Sequence, residues 1–128
     1  MAQQEKPPEI VVVTDANVLI NLIHADLLAL LGVLPPYRFL VPDHVVNEIT
    51  YASQRKKLKA AIAAGSPAVL SITDTDALAI FSDLVQVMGR GEAASLALAE
   101  TMGYHIVCDE KKGPFRRESL RRLGEERI

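Results

Sequence analysis

Four short, largely apolar runs recur along the chain: Ile10-Val-Val-Val-Thr14, Tyr37-Arg-Phe-Leu-Val41, Val69-Leu-Ser-Ile72 and Tyr104-His-Ile-Val-Cys108. Each is of strand length, so β-strands are predicted over 10–14, 37–41, 69–72 and 104–108. Their apolar residues follow one another instead of alternating with polar ones, which is the pattern of strands covered on both faces in a parallel sheet. The segments between them carry helix signals. Asp15-Ala-Asn17 turns into a helix predicted over 18–31, stopped by Gly32 and by Pro35-Pro36. Asp43 suits the N-cap of a helix through Glu48, broken near Ser53 and resuming to Ala64 before Gly65. Thr73 or Asp74 can cap a helix over 76–88, Gly89-Arg-Gly91 interrupts it, and a further helix over 92–102 stops at Gly103. Pro114 opens a last helix to Leu123. Strands alternating with helices predict an α/β fold, a three-layer α/β/α sandwich around a central parallel sheet, in one domain over 1–128.

Composition narrows the class. The chain is 49% apolar but only 5% aromatic, so the core is expected to be built of Ala, Val, Leu and Ile. One cysteine excludes a disulfide framework, and Cys108 is read as a buried, inert thiol. The polar Met1-Ala-Gln-Gln-Glu-Lys6 lacks a signal-peptide core, and no apolar run approaches the ~18 residues of a membrane span, so a cytoplasmic protein without a membrane partner is expected. The net charge of −2 is unevenly spread: residues 111–128 hold seven basic and three acidic side chains, +4, which leaves −6 for the rest. A second basic cluster, Arg55-Lys56-Lys57 with Lys59, follows Glu48. Basic flanks around an acidic centre suit a protein that holds phosphates beside a metal, although Lys and Arg also serve simply to solvate helix faces.

The acidic centre is formed by four residues, each placed near the end of an apolar run or the start of a helix: Asp15, Glu48, Glu92 and Asp109. In an open parallel sheet the carboxyl ends of the strands share one edge, where ligands bind. Carboxylates gathered there repel one another unless a cation lies among them. Each acid has a plainer reading too. Asp15 and Asn17 are common helix caps, and Glu92 at a helix N-terminus is favoured by the backbone dipole. Glu48 lies among Val45, Val46 and Ile49, which makes a solvated role less natural; in an unbroken helix Arg55 and Lys59 would share its face. Carboxylates without Cys or clustered His select hard cations, so Mg²⁺ or Mn²⁺ is expected. The scattered His24, His44 and His105 are read as structural or surface residues.

Over nearly its whole length the chain resembles the PIN-domain nucleases, on the motifs Val13-Thr-Asp-Ala-Asn-Val-Leu19, Val41-Pro-Asp-His-Val-Val-Asn-Glu48, Gly91-Glu-Ala-Ala-Ser-Leu-Ala-Leu-Ala99 and Ile106-Val-Cys-Asp-Glu-Lys-Lys-Gly113. The Gly-Glu-Ala helix followed by a strand ending in Asp-Glu is similar to one uncharacterised bacterial and archaeal branch of that family. The resemblance implies that Asp15, Glu48, Glu92 and Asp109 form a catalytic, metal-binding quartet, with Asn17 and Glu110 in support. It implies an endoribonuclease that hydrolyses RNA with Mg²⁺ or Mn²⁺, leaving a 5′-phosphate and a 3′-hydroxyl, and that serves as the toxin of a toxin–antitoxin pair with an antitoxin protein as partner. Arg55, Lys59, Arg116 and Arg117, the basic residues nearest the acids in sequence order, are then the candidates to hold the RNA backbone.

Two features depart from the family pattern. Cys108 stands where Ser or Thr is frequent, and the family's chain usually continues beyond the equivalent of Leu123-Gly124 into a fifth strand and a closing helix. Here only a stub of strand is expected, which would leave a sheet edge open and favours a homodimer. Other enzymes with carboxylates on a parallel sheet match less well. A haloacid-dehalogenase-like phosphatase needs a second Asp where Asn17 stands, a receiver domain needs paired acids that are missing, and no Gly-rich phosphate loop is present. The alternative from another class is a PIN-like binding or regulatory module with weak or no catalysis.

Overall fold

The computed structural model describes residues 9–107 and 113–128. Its centre is a four-stranded, all-parallel sheet in the order β3-β2-β1-β4, with β1 at Ile10–Val13, β2 at Tyr37–Pro42, β3 at Ala68–Leu70 and β4 at His105–Ile106. β1 runs through the middle, its Val12 opposite Phe39 on one side and His105 on the other. Adjacent valines of β1 enter opposite cores, as expected of a strand covered on both faces. Val12 packs with Leu19, Ile23, Leu31, Val45 and Leu58. Val13 packs with Leu84, Leu96, Ile106, Phe115 and Leu123. The predicted three-layer α/β/α class is the observed one.

The first predicted helix is two elements. α1 spans Ala16–His24, two residues earlier than expected, because Asp15 rather than Asn17 is its cap and accepts the Val18 N–H at 3.0 Å. It stops well before Gly32. Asp26 adopts φ +57°, its N–H bonds Ile23 O at 3.1 Å and the Leu27 N–H bonds Leu22 O at 2.8 Å. These are the paired bonds of a Schellman cap, with aspartate in the left-handed position that glycine more often fills. Leu28–Gly32 then forms a separate 3-10 turn.

The break in the second helical segment falls a few residues before Ser53. α2 covers Asp43–Glu48, the chain is extended at Ile49 and Tyr51, and α3 covers Ala52–Ala63. α4 is Thr75–Leu84, capped by Asp74, which accepts the N–H groups of Asp76 and Ala77. α5, Arg90–Met102, is buried at Gly91 and at every position from Ala93 to Ala99. A helix enclosed on nearly all sides needs small side chains, which explains the run of Ala93, Ala94, Ala97 and Ala99. Gly103, at φ +74°, ends it, and the Arg127 guanidinium donates to the carbonyls of Ala99 and Tyr104 at that end. Residues Glu125–Arg127, expected to begin a strand, form a 3-10 turn instead. Cys108 lies outside the described residues.

α6, Pro114–Leu123, inserts Phe115, Ser119 and Leu123 at four-residue intervals into the second core. Its polar side joins it to α5: Arg122 meets Glu100 at 2.9 Å, while Glu118 accepts from Arg121 at 2.8 Å and from Arg122 at 3.3 Å. The hydrogen bond from Arg121, aided by the charges of both arginines against a smaller burial penalty, holds the Glu118 carboxyl below its ordinary value. Its stabilising contribution is therefore complete above the unfolded-state value and disappears as the pH falls from about 4 through the lowered folded-state value. Glu118→Gln is expected to cost at most about 1 kcal/mol near pH 7, given solvent screening, and nothing once the wild-type carboxyl is protonated. Thermal melts at neutral pH and near pH 3 that show the same difference between the two proteins would refute this.

Candidate functional site

The topology brings the described acids to one edge. Asp15 lies two residues beyond the end of β1 and so stands at the carboxyl edge of the sheet. Glu48 closes α2, the helix that leaves β2 at that same edge. α5 leads into β4, a strand parallel to β1. Since it runs back toward the start of β4, its own first turn, carrying Glu92, lies at the carboxyl edge.

The elements that carry two of these acids meet through a direct contact. Glu48 Oε1 accepts the N–H of Gly91 at 2.7 Å, linking the end of α2 to the first turn of α5 across 43 residues of sequence. A free N–H at a helix start, with the helix dipole behind it, is a favourable partner for a carboxylate. Glu92 is half-buried in the same turn, and its Oε1 lies 3.3 Å from the point a Cβ on Gly89 would occupy, so the side chain folds back over the helix start. Asp15 is 4% exposed, the only buried acid among the described residues, with one carboxylate oxygen fixed by the Val18 N–H. A carboxylate has several acceptor positions, so a capping role does not by itself preclude another. Asn17 is exposed in the first turn of α1 and is not its cap. Asp109 and Glu110 lie outside the described residues.

The donor set is all oxygen, suited in kind to a hard divalent cation. Among the described residues no three His, Cys, Asp or Glu side chains group closely enough to hold one. His24 pairs with Gln54 on the surface, His44 meets Asp43 and lies against Phe81 with the two rings tilted by 43°, and His105 sits on β4.

The basic candidates separate. The break after Glu48 takes Arg55 off the helical face of that acid and gives it another role. Its guanidinium donates to the carbonyls of Val46 and Ile49 at 3.4 Å each, on either side of Glu48. Spacing along one helix offered no sign of this, because the contact depends on the chain leaving the helical conformation at Ile49 and Tyr51. Arg55→Ala is expected to destabilise the protein by about 1 kcal/mol, since these charged hydrogen bonds are long and partly exposed; an unchanged urea midpoint would show that they contribute nothing. Lys59 and Arg117 are exposed, and Arg116 is half-buried with an interaction of its own. Arg121 and Arg122 are engaged by Glu118 and Glu100.

An α/β/α sandwich on a parallel sheet, with carboxylates along the ends of its strands, defines a class that includes metal-dependent nucleases. A PIN-domain family model matches residues 11–124, and the chain belongs to that family. It is a family of nucleases that generally use divalent metal ions. No curated protein matches the chain. Among the described residues no helix is long and apolar enough to cross a membrane.

Proposed function

We propose that the protein is an endoribonuclease that hydrolyses RNA phosphodiester bonds with Mg²⁺ or Mn²⁺. The observation that supports this most is the 2.7 Å bond from Gly91 to Glu48, which joins two of the acid-bearing elements at the edge from which Asp15 emerges. In this reading Asp15, Glu48 and Glu92 hold the ion together with Asp109, which follows β4 in the sequence. Asn17 and Glu110 support them. A divalent ion bound there supplies an activated water and stabilises the charge that develops on the phosphate. The protein's own part is to fix the carboxylates. The cap to Val18 holds Asp15, the Gly91 N–H holds Glu48, and Arg55 secures the backbone around Glu48. Lys59, Arg116 and Arg117 contact the RNA backbone, while Arg55 acts through Glu48. The same reading extends to the toxin of a toxin–antitoxin pair, with an antitoxin protein as partner, and to self-association at the β4 edge of the sheet.

The test is cleavage of a labelled RNA by the purified protein in Mn²⁺ or Mg²⁺, with EDTA as control. Metal-dependent cleavage that stops in EDTA is expected. RNA binding without cleavage in either metal would instead assign a binding module.

A further inference from the structure

The close approach of Glu48 to α5 depends on an absent side chain. A Cβ built on Gly91 would lie 2.6 Å from Glu48 Oε2, 2.8 Å from Oε1 and 2.9 Å from Cδ, distances no real Cβ tolerates. Gly91 does not need glycine for its backbone, because it lies inside α5 and its φ is not positive. Glycine in the first turns of a helix otherwise carries a conformational cost relative to alanine, and the helix that follows is rich in alanine. The position is further fixed by the buried Ser95, whose hydroxyl donates to the Gly91 carbonyl at 2.9 Å. A methyl group at position 91 therefore forces a shift, and the carboxylate, at the end of a flexible side chain, is the group that gives way.

We propose that Gly91 is a positioning residue for the acidic site: its missing side chain makes the seat in which the Glu48 carboxylate lies, and its N–H fixes the orientation of that carboxylate beside Glu92. The inference rests on the metal-site reading of Glu48 for its functional consequence, and on geometry alone for the coupling between residues 48 and 91. Gly89 repeats the arrangement less strictly, since a Cβ there would stand 3.3 Å from Glu92 Oε1.

The two parts are tested together by Gly91→Ala, Glu48→Ala, Gly91→Ala with Glu48→Ala, and Gly91→Ala with Glu48→Asp. Mn²⁺ binding to each is measured by calorimetric titration, and each is melted in EDTA. Gly91→Ala is expected to weaken Mn²⁺ binding roughly 10- to 100-fold, the usual cost of disturbing a group that orients a metal ligand. The shorter aspartate at position 48 clears the methyl and is expected to recover part of that loss. In the melts, Gly91→Ala is expected to raise the melting temperature only where Glu48 is already alanine, because only there is the gain in helix propensity free of the clash.

A Gly91→Ala protein that binds Mn²⁺ as tightly as wild type would overturn the proposal. If wild type binds no Mn²⁺, it is the metal-site reading that fails, and the melts alone then decide the coupling. Additive effects of Gly91→Ala and Glu48→Ala would refute it, and non-additive effects would sustain it.

Discussion

Asp15→Asn is expected to reduce metal-dependent RNA cleavage by roughly 100-fold or more, while leaving the fold almost untouched. The substitution separates the two roles of this side chain. Asparagine has nearly the same volume and is as good an N-cap as aspartate, so its carbonyl oxygen can still accept the Val18 N–H that Asp15 accepts at 3.0 Å. The negative charge is lost. At a buried position, that charge is the part that attracts a cation and stabilises charge developing on a phosphate. Disturbing a group that merely orients a ligand costs about 10- to 100-fold, and replacing the ligand itself should cost more. Initial rates on a fluorescent RNA in Mn²⁺, read beside circular-dichroism melts, provide the check. Wild-type rates in the Asn variant would mean that Asp15 is a helix cap and nothing else.

The second large effect concerns stability. A divalent ion that binds only the folded protein adds about 2.7 kcal/mol at a free concentration 100 times its dissociation constant. With an unfolding entropy of about 2.1 cal/mol/K per residue, that is a rise in melting temperature of about 10 °C for a chain this long. Asp109→Asn should remove most of the rise. In EDTA the same variant should be at least as stable as wild type, because one of several mutually repelling carboxylates has been neutralised. Melts of both proteins in EDTA and in Mn²⁺ separate the possibilities: equal metal shifts would place Asp109 outside any metal site.

Much of the fold was legible because strand burial leaves a direct mark. Ile10-Val-Val-Val13 has to be apolar on both faces when β1 is flanked by β2 and β4 and covered above and below. Asp74 and Gly103 also work as caps where their residue types suggested. What escaped the sequence was local chemistry using an uncommon residue, or contacts between distant segments. Asp26 takes a left-handed position usually marked by glycine, so a helix seemed to continue to residue 31 when it ends at His24. Arg55 reaches back to Val46 and Ile49 only because the chain turns between α2 and α3. Asp15, Glu48 and Glu92 stood out in the sequence by their places near apolar runs and at a helix start, and the fold carries the elements that bear them to the carboxyl edge of the sheet. The seat that Gly91 makes for one of them did not stand out, although a glycine at the start of an alanine-rich helix was a visible cue.

The enclosure of α5 also limits how this protein can change over evolutionary time. Glu92 stands at the head of a helix whose next seven residues, Ala93 to Ala99, are all buried, and overpacking such a core costs typically 1–3 kcal/mol. Drift is therefore confined, on this helix, to its exposed beginning and its far end. Changes of surface charge fall instead to elements such as α3, where Lys56, Lys57 and Lys59 are exposed, while the acid-bearing helix stays as it is.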